Sequence, residues 1–97
     1  MYTHVVSFKF RAPSDMERGA KMLRAMEGQI PSLRSIEVGL NDLKGDDNFH
    51  LVLITRFDSP EGLQAYKVHP VHKEVITFFK EVTTDRAPVD FPSADPG

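Results

Sequence analysis

Cysteine and tryptophan are both absent from this 97-residue chain. Without cysteine there is no disulfide, no thiolate nucleophile and no cysteine-ligated zinc. An excess of charge is also missing: 12 Lys and Arg against 14 Asp and Glu leave a formal net charge of −2, with an isoelectric point of about 6.0. Such a chain has no basic field to recruit nucleic acid or an anionic membrane. No apolar run approaches the ~20 residues of a membrane-spanning helix. The opening Met1-Tyr2-Thr3-His4-Val5-Val6 has neither a charged leader nor a long apolar core. The expectation is a cytoplasmic protein whose partners include neither nucleic acid nor membrane.

What is present suits one folded domain. The chain is 40% hydrophobic and 27% charged, ordinary values for a globular protein. Residues from Tyr2 to Phe10 are β-branched or aromatic and alternate, which predicts a strand with His4, Val6, Phe8 and Phe10 on one face. Ser14 and Glu17 have capping-box spacing, and Met16, Ala20, Leu23, Met26 and Ile30 recur at helical spacing to about Gln29. A second strand is expected over Leu33–Leu40, then a polar hairpin loop through Asn41, Asp42 and Asp46-Asp47. The third strand, Asn48 to Phe57, sets His50, Val52 and Ile54 against Phe49, Leu51, Leu53 and Phe57. Ser59-Pro60-Glu61 starts a helix to about Val68. Pro70 interrupts it, a further helical segment follows from Val71 to about Phe79, and a last strand covers Val82 to Phe91.

The order β-α-β-β-α-β defines an α+β domain of ferredoxin-like type with a four-stranded antiparallel sheet. Its expected extent is 1–91, with 92–97 a flexible tail. Helices cover one sheet face only, yet the third strand is apolar on both faces, so the second face must also be buried. The simplest cover is a second copy, giving a two-fold homodimer with its sheets packed together. In this reading His4, His50, Val52 and Ile54 lie on the helix side, while Leu51 and Leu53 face the dimer partner.

The 4 histidines carry the chemistry. His4 and His50 are placed to meet across the sheet, and Tyr66 precedes His69 by one helical turn. His69 and His72 flank Pro70. Taken with Val6-Ser7-Phe8-Lys9-Phe10, Gly39-Leu40-Asn41 and Asp90-Phe91, the run Tyr66-Lys67-Val68-His69-Pro70-Val71-His72 resembles the stress-responsive A/B barrel (Dabb) family. The resemblance covers nearly the whole chain. It implies a ferredoxin-like protomer in a homodimeric α+β barrel. One plant branch of that family is a polyketide cyclase that closes a linear tetraketide thioester by intramolecular aldol condensation without a cofactor. Its catalytic residues are similar in type and position to Tyr66 and His72, and its further pocket histidines to His4 and His50.

The chemistry fits the residue types. A neutral imidazole can take a proton α to a carbonyl at neutral pH, and a phenol can donate to the developing enolate. The expected site is therefore a pocket between sheet and helices for a small apolar or aromatic molecule. His72 and Tyr66 are its candidate catalytic pair, and His4, His50, Phe8, Val52 and Met26 its candidate ligand contacts. Each has a structural alternative, namely core packing or a histidine satisfied by backbone. His69 is expected to bond free carbonyls at the helix break. No metal is expected, because a His-Pro-x-His run splits across that break and no carboxylate is fixed nearby. No cofactor is expected. A module that only dimerises, an antibiotic-biosynthesis monooxygenase on the same barrel, and a haem-degrading relative of that barrel with one of the four histidines as axial ligand are the remaining alternatives.

Overall fold

The computed structural model describes residues 1–43, 45 and 47–94. Lys44 and Asp46 of the expected hairpin loop, and 95–97 of the expected tail, lie outside the described residues. The elements run β1 (Tyr2–Phe10), α1 (Ser14–Arg24), β2 (Ser35–Leu40), β3 (Leu51–Phe57), α2 (Pro60–Val68), α3 (Pro70–Val82) and β4 (Thr83–Pro92). The strands form one antiparallel sheet in the order β2-β3-β1-β4. This is the ferredoxin-like arrangement, with the second helix of the βαββαβ unit broken into α2 and α3.

Register decides which side chains meet the helices. Val6 lies opposite Leu53 and Phe8 opposite Leu51, and Val38 also pairs with Leu53. Residues opposite one another share a face, so Leu51, Leu53 and Phe57 join Val6, Phe8 and Phe10 beneath the helices. All six are buried. The assignment of β3 faces is thereby corrected: Val52 and Ile54 lie on the open face, and Leu51 and Leu53 in the core. Period-2 alternation cannot orient a strand that is apolar on both sides; only pairing with β1, whose polar and apolar faces differ, can do so. Ala20, Leu23, Met26 and Ile30 pack onto this layer from α1 and the turns after it, and Val75 and Phe79 from α3.

Local chemistry moves several boundaries. The expected capping box at Ser14 does not form, and α1 has no side-chain cap bond. The Asp15 and Met16 amides instead donate to the Ala12 and Pro13 carbonyls at 3.1 Å, leaving Ser14 little to cap. The helix ends at Arg24, five residues early. Gly28, at φ 79°, is in the left-handed region and turns the chain after it. At the other end of the domain, α3 passes into β4 with no connecting residue. The β1–β4 register slips between Lys9 and Phe10, leaving Thr84 as a bulge. β4 continues one residue beyond Phe91 to Pro92, and the Ser93 amide donates to the Met1 carbonyl at 2.8 Å.

The face of the sheet away from the helices carries Val5, Val52, Ile54, Val89 and Phe91, read from the same register. Val89 is 58% and Phe91 40% exposed. No helix among the described residues is long and apolar enough to cross a membrane.

Candidate functional site

A cleft of about 320 Å³ opens between the helix face of β1 and β4 and one stripe of α3. Its floor comes from Val6 and Phe8 of β1 and Leu53 of β3, its wall from Val75, Ile76 and Phe79 of α3, and its polar groups include His4, Tyr66 and His72. Each polar group is held by the element that carries it. Tyr66 projects inward from the last turn of α2. His72 sits in the first turn of α3, across the break at Pro70, and its ring meets that of Tyr66 with centroids 4.3 Å apart. His4, on the buried face of β1, has its ring 6.4 Å from that of Tyr66.

The four histidines divide by what their Nδ1 does. At His50 it accepts the Phe10 amide at 2.9 Å; at His69 it accepts the Val71 amide at 3.1 Å. An imidazole accepts only through a deprotonated nitrogen, so these two rings serve the backbone. His50 ties the end of β1 to the start of β3, and His69 caps α3. His69 thus fixes the helix break, but by receiving an amide of the following helix rather than by bonding carbonyls of the preceding one. At His72, Nδ1 lies 3.1 Å from the Lys67 carbonyl. At His4, Nδ1 bonds the Asp90 carboxylate, which stands directly opposite on β4. A carbonyl and a carboxylate can only accept, so both Nδ1 atoms donate. In the neutral form each ring is then held with its Nε2 lone pair free.

Electrostatics sharpen the pair. Burial holds the His72 imidazole below its ordinary pKa, opposed by its bond to the Lys67 carbonyl and assisted by repulsion between its protonated form and the neighbouring basic groups His4, Lys67 and Arg86. Burial pushes the Tyr66 phenol well above its ordinary value, so it remains a proton donor. Tyr66 is 1% exposed, and its hydroxyl is buried with no hydrogen-bond partner among the described residues. Buried hydroxyls are normally satisfied; among the described residues only this one and Ser32 Oγ are not.

Of the residues expected to form a pocket, the fold brings His4, Phe8, Tyr66 and His72 together around the cleft. It leaves three elsewhere. His50 is engaged with the Phe10 amide and stacks near the Phe10 ring. Val52 lies on the open face, where it borders a separate shallow groove. Met26 is fully buried in the core but is not part of the cleft wall. Asp90, bound to His4, is a partner that the sequence reading did not assign. Its place in the pairing of the first and last strands was the signal available. Lys67, Lys80 and Arg86 also border the cleft; the His72-Ile76-Lys80 spacing on one helix face was visible in the sequence. Among the described residues, no group of three or more His, Cys, Asp or Glu side chains is arranged to hold a metal ion.

The fold and the enclosed histidine pair define a ferredoxin-like α+β domain with a cleft between sheet and helices. Residues 2–93 match the model of the Stress responsive A/B Barrel Domain, and the chain belongs to that family. A stress-response A/B barrel domain-containing protein of Arabidopsis thaliana is 27% identical over 96 residues, covering 96% of this chain and 86% of the relative. A dimeric protein of ferredoxin-like fold from Bacteroides fragilis superposes with a TM-score of 0.81 at 28% identity, over 93% of each chain. A dimeric ferredoxin-like protein from Thermobifida fusca gives 0.83 at 22% identity, over 93% of this chain and 88% of that one.

Proposed function

We propose that this chain is a homodimeric small-molecule-binding protein whose ligand, an apolar or aromatic molecule, occupies the cleft between sheet and helices. The observation that carries the reading is the pairing of His4 and His72. Both face one apolar cleft, both have Nδ1 committed to an oxygen acceptor, and both keep Nε2 for something else. A cleft of about 320 Å³ falls within the usual range for small-molecule sites, as does its mix of an apolar wall and a few convergent polar groups. The test is titration with 2-naphthol, followed by imidazole NMR signals. Shifts at His4 and His72, with His50 and His69 unmoved, are the expected result; no shift, or shifts led by His50 and His69, would sink the reading.

Dimerisation rests on the open face. Val52, Ile54, Val89 and Phe91 together make an apolar surface of the kind that sheet-to-sheet packing buries, and the relative from Bacteroides fragilis is dimeric.

A second reading, a cofactor-free cyclase, is favoured by the fixed tautomer of His72 beside a phenol that stays protonated. His72 Nε2 would take a proton α to a carbonyl, giving an enolate whose oxygen receives the Tyr66 hydroxyl's hydrogen bond. The enolate carbon would attack a second carbonyl of the same molecule, and the alkoxide so formed would recover the proton from the imidazolium. A linear poly-β-keto thioester is the assay substrate. Turnover lost in His72→Gln and Tyr66→Phe, with both variants folded and still binding, would identify the enzyme. Turnover unchanged in both variants would remove the assignment.

A further inference from the structure

We propose that the ligand is an amphipathic organic anion, an apolar or aromatic body with one acidic head group held by Lys67, Lys80 and Arg86; this rests on the cleft being a small-molecule site. These three cations border the cleft, and no Asp or Glu among the described residues lines it. That bias runs against the chain as a whole, whose net charge is −2. Each of the three is exposed, and none has an ion pair or side-chain hydrogen bond among the described residues.

Several other cations of the chain are engaged, whereas Lys21, Arg56 and Lys73, like the three at the cleft, have no side-chain partner among the described residues. Arg34 holds Asp58 through two nitrogens, Arg11 and Arg24 bond backbone carbonyls, and Arg18 lies over the Phe78 ring. The cleft cations are left facing an apolar opening instead.

The fold sets them around that opening. His72, Ile76 and Lys80 follow one another at one-turn intervals along α3, so Lys80 stands ~12 Å from His72 along the helix. Arg86 lies on the helix side of β4, opposite Phe8 in the strand pairing. Lys67 lies in the last turn of α2, and its carbonyl accepts a hydrogen bond from His72 Nδ1. Both Lys67 and Arg86 are near enough to His72 to disfavour its protonated form. An apolar body can lie against Phe8, Leu53 and Phe79, with its acidic group turned outward to the cations. A cationic ligand would meet like charge, and the one carboxylate described beside the cleft, Asp90, is already committed to His4.

The test compares three near-isosteric probes on the intact protein by titration calorimetry: 2-naphthoate, 2-naphthamide and 2-naphthylmethylammonium. The expected order is naphthoate first, by about tenfold over the amide at low salt, with the ammonium weakest. The preference for naphthoate should shrink as salt rises, because the cations are solvent-exposed. In Lys80→Gln/Arg86→Gln the naphthoate preference should fall several-fold while amide binding holds; Lys21→Gln, on the exposed side of α1, should change neither. Equal binding of acid and amide by the wild-type protein overturns the inference and leaves the cleft reading intact. Binding of none of the three overturns both. A preference that survives the double variant removes these residues from the role, and the wild-type series decides the charge question even if that variant does not fold.

Discussion

Tyr66→Phe should make the unliganded protein more stable, the reverse of the usual outcome for a buried tyrosine. The substitution keeps the ring, so the contacts with Phe57 at 5.2 Å and His72 at 4.3 Å between centroids are retained. Only the hydroxyl goes. A hydroxyl satisfied in the folded state contributes about 1 kcal/mol, which the variant would lose; one buried without a partner costs about 1–3 kcal/mol, which the variant would regain. Because the Tyr66 hydroxyl has no partner among the described residues, the second case applies. Taking the low end, the gain is about 1 kcal/mol, or ~4–8 °C in melting temperature for a domain of this size. In urea it is a midpoint increase of ~0.3–1 M with the slope unchanged. Wild type and variant must be compared at one protein concentration, since a dimer's stability depends on it. Alkaline pH gives a second signature. With the folded phenol raised above its ordinary value of 10.0, the unfolded chain ionises first, so stability is full below that value and falls as pH rises through it. Tyr66→Phe should lessen that alkaline loss. A variant with a lower urea midpoint would show that the hydroxyl has a partner in solution, and the case for an unspent donor in the cleft would collapse.

Ile54→Asp should dissociate the proposed dimer with the protomer still folded, read by light scattering at micromolar concentration. Leu53→Asp should instead unfold the chain, because it buries an unpaired charge in the core; the opposite pattern would reverse the face assignment of β3. His69→Ala removes the cap of α3 and should cost ~0.5–2 kcal/mol of stability with ligand affinity unchanged; weaker binding without loss of stability would move His69 into the site. Burial lowers the His72 pKa from its ordinary 6.5, so the unfolded chain gains that proton first. Stability linked to His72 is therefore present above 6.5 and lost as pH falls toward the lower folded value. Denaturation between pH 7.5 and 4.5 should be less acid-sensitive in His72→Gln, and equal slopes would mean that the folded ring is charged.

The order of elements was legible because each rests on a local signal: alternation in β1, the cap-and-proline start of α2, the helical recurrence of α1. The break at Pro70 was legible from proline alone. What the chain did not reveal depends on pairing. β3 has no polar face to contrast with its apolar one, so Leu53 and Val52 exchange roles until β1 is laid beside them. The histidines posed a similar difficulty. Tyr66-x-x-His-Pro-x-His marks a region, but which ring serves the backbone and which is free depends on the neighbour of a single nitrogen. Asp90 is 86 residues from His4, and only the β1–β4 register makes them partners. Cap formation at Ser14 failed for a local reason, the competition of the Ala12 and Pro13 carbonyls, which spacing rules do not weigh.

The direct passage of α3 into β4 has a consequence for how this domain tolerates change over evolution. Helix phase and strand phase are here one continuous count. Deleting a residue from the middle of α3 would swing His72 and Lys80 apart by ~100° around the helix axis. Deleting one from β4 between Arg86 and Asp90 would turn one of them to the open face. The one place of slack is the bulge at Thr84, which already holds the extra residue that reconciles the two counts. Length variation among relatives should therefore gather in the segment joining β2 to β3 and be nearly absent from 70–92, whatever ligand each relative has come to hold.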